Sequence, residues 1–282
     1  MATKLLPPIA IMQGRLLPPN GAFQAFPINK WHQEFSLAAE AGIDAIEWVY
    51  DFAGHRDNPL ASDDGIEKIL RLSQSTGVGV WSICADYFME KKLVNGDKID
   101  HGVLEHLAWL IRRAELLRIT YIILPFVDQS SISTDEEIIT LRKALSPLLS
   151  EAESANVELH LETDWAPATI KEFLLYAPSP CLKMNYDIGN SASLGFCPNE
   201  EFEAFSGRLG SLHVKDRRIG GASVRLGDGA ADLALCVNLL EREGFDRWLV
   251  LQAARGTDGC EVKLADANAT LMRKLFTECR SV

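Results

Sequence analysis

Val157-Glu158-Leu159-His160-Leu161-Glu162 alternates apolar and ionisable side chains without a break. A period of two marks a β-strand, so Val157, Leu159 and Leu161 share one face and Glu158, His160 and Glu162 the other. Residues 182–187 repeat the device with Lys183, Asn185 and Asp187 on one face, and residues 209–214 repeat it with Ser211 and His213, continued by Lys215. Outward from this block, short apolar runs at 9–12, 43–48, 78–84, 121–125 and 248–252 read as further strands. Segments of helical periodicity lie between and after them, at 31–41, 65–75, 104–117, 136–154, 170–176, 199–205, 231–243 and 262–279. Strict strand–helix alternation predicts a parallel α/β sheet, because parallel neighbours need a crossover helix. Eight such units in 282 residues match a closed (β/α)8 barrel, whose usual size is about 250 residues. A doubly wound sheet fits less well, since Gln13-Gly14-Arg15-Leu16 after the first strand lacks the glycine spacing of a dinucleotide loop. With no Pro/Gly/Ser linker in between, residues 1–282 read as one domain, and Gly220-Gly221-Ala222-Ser223 reads as a long loop after the seventh strand.

Helices cover one side of such a sheet, so the ionisable faces of the fifth, sixth and seventh strands point into the barrel. Burying so many charges is costly unless they are paired or hold a metal. Reacting groups in this architecture stand at the C-terminal ends of strands. Glu162, Asp187 and His213 occupy three consecutive strand ends, and two carboxylates with one imidazole suit Mn, Mg, Zn or Co as a divalent metal ion.

Composition narrows the partners. Asp and Glu outnumber Lys and Arg 39 to 28, a formal net charge of -11 that repels polyanions and predicts no nucleic-acid partner. No apolar run is long enough for a bilayer, and the start of the chain lacks a cleavable leader pattern, so no membrane association is expected. Six cysteines without C-x-x-C spacing read as reduced thiols and a cytoplasmic setting.

Several motifs stand at these strand ends: Met12-Gln13-Gly14-Arg15-Leu16, Ile46-Glu47-Trp48, Cys84-Ala85-Asp86-Tyr87-Phe88, Leu161-Glu162, Asp187-Ile188-Gly189-Asn190 and His213-Val214-Lys215-Asp216. Leu226-Gly227-Asp228-Gly229 follows, with Asp232 beyond it. Together they resemble the xylose-isomerase-like TIM barrel superfamily, in particular its sugar-phosphate isomerase and epimerase branch, over essentially the whole chain. The H-x-K-D motif followed by the L-G-x-G loop is the most specific part of the likeness.

The resemblance implies four metal ligands, of which Glu162, Asp187 and His213 match three; Gln252 stands where the family usually has a second glutamate. An amide oxygen can still coordinate a hard cation but cannot accept a proton at neutral pH. The implied activity is a metal-dependent isomerisation or epimerisation of a small sugar or sugar phosphate, through proton abstraction next to a carbonyl and an enediolate. Glu162 is then both ligand and base, with Glu47 or Asp86 as a second acid or base. Gln13, Asn190, Lys215, Asp216, Arg217 and Arg255 are the candidate substrate contacts. Lys215 and Asp216 alternatively orient His213 or pair with each other, and the guanidinium groups of Arg217, Arg218 and Arg255 suit a phosphate or carboxylate. Trp48, Tyr87, Phe88 and Trp165 are candidates for an apolar wall. An inosose-type dehydratase starts with the same enolisation, and a sugar-binding barrel without turnover is the non-enzyme alternative. A nuclease site would need more histidines than His213 alone supplies. A homo-oligomer is compatible with all of these readings.

Overall fold

In the computed structural model of the chain, residues 6–19 and 24–281 are described. Eight parallel strands close into a barrel in chain order: β1 (Ile9–Met12), β2 (Ala45–Val49), β3 (Gly79–Cys84), β4 (Tyr121–Phe126), β5 (Glu158–Thr163), β6 (Leu182–Asp187), β7 (Leu209–Val214) and β8 (Leu249–Leu251). β1 closes the ring by pairing with both β2 and β8. The expected strands differ from these only at their ends. Ile43 is the clearest case: it is buried, but its N–H turns back to Ala38 O at 2.9 Å and so finishes the preceding helix instead of starting β2.

The outer layer comprises α1 (Glu34–Glu40), α2 (Asp63–Thr76), α3 (His101–Leu116), α4 (Asp135–Ser154), α5 (Pro167–Leu175), α6 (Pro198–Phe205), α7 (Leu233–Arg242) and α8 (Glu261–Cys279). Local chemistry sets their starts. Thr134 and Glu137 form a reciprocal cap on α4, Ser62 caps α2, and Asp232 accepts from Leu235 N at 2.9 Å to cap α7, each cap stabilising its helix by about 1 kcal/mol. Asp232 therefore serves the backbone. Among the described residues no helix is long and apolar enough to cross a membrane.

The segment expected to be a long loop after β7 carries structure. Asp216–Arg217 pairs antiparallel with Ser223–Val224, and the ribbon turns through Gly220. It draws Arg217 back over the barrel mouth. At the opposite end, the interior is closed by packed rings: Trp81 tilted against Trp248 (5.1 Å), Trp248 stacked on Tyr121 (5.2 Å) and Tyr121 stacked on His160 (4.2 Å). Gly210 makes room for this plug, since a Cβ there would lie 2.5 Å from His160 Cε1.

Candidate metal centre and substrate cleft

β5, β6 and β7 deliver Glu162, Asp187 and His213 to one point. Their ligand atoms all lie within 4.8 Å of one another, and all three side chains are buried. His213 Nδ1 faces Glu162 Oε2 at 3.2 Å and Asp187 Oδ2 at 3.9 Å. Its other nitrogen, Nε2, meets Glu47 Oε1 at 2.7 Å, and Glu47 Oε2 accepts from Ser82 Oγ at 2.7 Å. A carboxylate behind an imidazole fixes the ring's orientation and tautomer, the arrangement that accompanies histidine ligands. Burial pulls the His213 pKa down, but the carboxylates of Glu47 and Glu162 prevail and push it up to about 10. Burial likewise opposes ionisation of Glu162, yet His213, Lys215 and Asn185 hold it below the usual carboxylate range. Burial raises Asp187, although Lys215 Nζ lies 3.3 Å from its Oδ2. Three carboxylates thus converge on one imidazole and one ammonium.

Gln252 follows the end of β8, its N–H bonded to Val214 O at 3.0 Å. The side-chain Nε2 donates to Gln24 Oε1 at 3.1 Å, which leaves Gln252 Oε1 as a buried acceptor without a hydrogen-bond partner. A buried oxygen of this kind carries a desolvation cost of about 1–3 kcal/mol until something binds it. Gln24 continues to Asp86 Oδ2 at 2.7 Å, and Cys84 Sγ donates to Asp86 Oδ1 at 3.2 Å. Burial pushes Asp86 up to about 6 against those two hydrogen bonds, with Glu162 and Asp51 adding to the push. Gln24 escaped the sequence reading because it lies in no strand, helix or motif.

A cleft of about 730 Å³ opens above these groups, and its walls include Glu162, Asp86, Asn190, Lys215, Arg217 and Gln252. The sequence profile of the xylose isomerase-like TIM barrel family matches residues 35–275. The chain belongs to that family. L-ribulose-5-phosphate 3-epimerase of Salmonella heidelberg is 28% identical over 226 residues, 76% of this chain and 79% of that one. The 3-oxo-isoapionate decarboxylase of Pectobacterium atrosepticum is 25% identical over 195 residues, 62% of this chain and 68% of that one. In the solved structure of an L-ribulose 3-epimerase the same fold recurs with a TM-score of 0.73 and 17% identity, covering 98% of this chain and 96% of that one.

In this xylose isomerase-like barrel, Asn190 ties the mouth together. Its N–H caps the turn on Asp187 Oδ1 at 2.8 Å, its Nδ2 donates to Glu162 Oε1 at 2.9 Å, and its Oδ1 accepts from Arg217 Nη1 at 2.8 Å. Arg217 Nε also donates to Gly221 O at 3.0 Å. One layer deeper, Asn185 Nδ2 donates to Glu162 Oε2 at 2.9 Å, and its Oδ1 accepts from Ser211 Oγ at 2.7 Å.

Four of the residues expected to act on or contact substrate lie outside the cleft wall. Glu47 is fully buried behind His213, with its Oε1 2.7 Å from His213 Nε2. Gln13 accepts from Val49 N at 3.0 Å and thereby fastens the end of β1 to β2. Asp216 accepts from the N–H groups of Gly227, Gly229 and Ala231, so the L-G-x-G motif is the loop that wraps its carboxylate. A Cβ at Gly229 would fall 2.1 Å from Asp216 Oδ1, which explains the glycine. Arg255 donates to Leu17 O at 3.0 Å and lines a separate small pocket with Arg15 and Leu264. Arg218 is exposed and takes no part in the wall. Of the expected aromatic wall, Trp48 bonds Asn58, Trp165 bonds Ile132 O, and Tyr87 and Phe88 are buried side by side. Phe52 and Met89 supply the apolar surface instead.

Proposed function

We propose that the protein is a divalent-metal-dependent isomerase or epimerase of a small sugar or sugar phosphate, working by proton abstraction from the carbon next to a carbonyl. The observation that carries this reading is the buried convergence of Glu162, Asp187 and His213 beneath an open cleft. The donor set fits a hard or borderline divalent cation, and the unpartnered Gln252 Oε1 offers a neutral fourth oxygen. When bound, such a cation supplies Lewis acidity at the carbonyl oxygen, where negative charge develops.

The remaining work falls to the protein's own side chains. Glu162, positioned by amide donors from Asn185 and Asn190 on its two oxygens, is the base. Glu47 holds the His213 ring in place as a positioning residue. Asn190, Lys215 and Arg217 face substrate hydroxyls from the β6 and β7 side of the cleft. Asp86 lines the same cleft with its pKa at about 6, so it can exchange a proton near neutral pH, which Gln252 cannot. Glu162 keeps the abstracted proton, and protonated Asp86 giving its own proton to the same carbon from the other face yields an epimer. Return of the abstracted proton by Glu162 to the neighbouring carbon, with a proton passing from the hydroxyl oxygen on that carbon to the former carbonyl oxygen, gives an aldose–ketose isomer.

The test is metal determination on the purified protein, followed by incubation of the loaded enzyme with ketoses, aldoses and their phosphates in deuterium oxide. Stoichiometric metal and deuterium at the carbon next to the carbonyl are expected. No exchange with any compound, metal present, refutes the proposal.

A further inference from the structure

The cleft is electrostatically lopsided. β2 and β3 stand across the barrel from β6 and β7, so the loops beyond them form facing walls. On the β2–β4 side the wall carries Asp51, Asp86, Glu90 and Asp128; on the other it carries Lys215 and Arg217. Lys215 is paired with Asp187 at 3.3 Å, while Arg217 is held by two neutral acceptors, Asn190 Oδ1 at 2.8 Å and Gly221 O at 3.0 Å, which fix its position without cancelling its charge. Lys91, next in sequence to Glu90, lays its ammonium 4.6 Å over the Phe52 ring and is not part of the wall.

A substrate with its carbonyl end at Glu162 and Asp187 has to extend its far end along this cleft. A phosphate or carboxylate there would approach acidic side chains, which outnumber the cations Lys215 and Arg217 among the described wall residues. Hydroxyls are at ease in the same place, since carboxylates and the Gln129 amide accept and donate hydrogen bonds to them. Met89 offers apolar surface for the C–H face of a sugar.

We infer that the cleft takes an uncharged polyhydroxylated carbonyl compound, a free ketose or aldose, in preference to a sugar phosphate or sugar acid. This rests on the enolisation reading above and narrows its substrate class. It separates the chain from the two relatives described, whose names denote anionic substrates.

The decisive experiment compares kcat/KM, and solvent deuterium incorporation, for free ketoses and aldoses against the corresponding terminal phosphates and sugar acids, using the manganese-loaded protein. Free sugars should be favoured by about a hundredfold, the cumulative effect of a few like-charge repulsions in a partly desolvated site. Raising the salt concentration should narrow that ratio, because exposed carboxylates such as Glu90 and Asp128 are screened. The double substitution Glu90→Gln with Asp128→Asn should narrow it by about tenfold. Equal or faster turnover of the phosphates or acids overturns the inference while leaving enolisation intact. Exchange with neither class removes the enolisation reading, and the inference with it.

Discussion

Two histidine–glutamate pairs sit in the barrel interior with opposite electrostatics. At the mouth, His213 and Glu162 meet at 3.2 Å; at the base, His160 and Glu158 meet at 2.9 Å, from the same face of β5 that carries Glu162. The basal carboxylate is saturated by Arg247 at 2.9 Å and Lys183 at 2.9 Å, which hold it far below the usual carboxylate range even though burial works against ionisation. His160 is drawn down to about 4 by burial, the pull of Glu158 being offset by Arg247 and Lys183. At the mouth no such excess of cations exists, and His213 is pushed the other way. The base is a closed ion cluster under a stack of rings, and the mouth is left short of positive charge. That difference separates a group of charges that maintains the fold from one suited to bind a cation.

Glu162→Gln is the sharpest way to probe the contrast. It should lower kcat by about a thousandfold, equivalent to about 4 kcal/mol, because the proposed base is lost. The circular dichroism spectrum and thermal midpoint should stay close to those of the parent. Collapse of the fold together with activity would instead put Glu162 in the same class as Glu158.

The next effect is a pH dependence of stability that belongs to the base. Folded His160 has its pKa depressed to about 4 from an ordinary value of 6.5, so the unfolded chain takes up the proton first as pH falls. The His160 contribution should therefore be intact above about pH 6.5 and be lost, by about 3 kcal/mol, toward pH 4. Below about pH 4.5, protonation of Glu158 adds to the loss, since its stabilisation is present only above its unfolded pKa. Urea denaturation at a series of pH values, with His160→Asn as control, measures this. An unchanged acid limb in the variant would remove His160 as its source.

Glu158→Gln should cost about 2 kcal/mol, a figure discounted for partial exposure, by leaving Arg247 and Lys183 half-buried without their carboxylate. Activity per folded molecule should change by less than a few-fold, as titration against bound metal would show. Ser211→Ala, which cuts the link between His160 and Asn185, should have the smallest effect, about 1 kcal/mol of stability. A large loss of kcat in that variant would mean that mouth and base act as one unit.

Much of this contrast was legible in the chain. The period-two pattern placed Glu158, His160 and Glu162 on one face, and the successive strand ends drew attention to Asp187 and His213. The different fates of His160 and His213 were not legible, because each depends on which carboxylates and cations arrive from other strands. Motif residues were also ambiguous: in the sequence Glu47 looks like an acid or base and Asp216 like a substrate contact, yet one braces an imidazole and the other anchors a loop.

Alternation and helix-capping residues act within a few positions of the backbone, so strand and helix order and the inward polar face follow from the sequence alone. Barrel closure acts over the whole chain. It sets Glu47 against His213 and Gln24 against Gln252, contacts spanning 166 and 228 positions. Such contacts depend on the register and tilt of eight strands together, and no local pattern encodes that geometry.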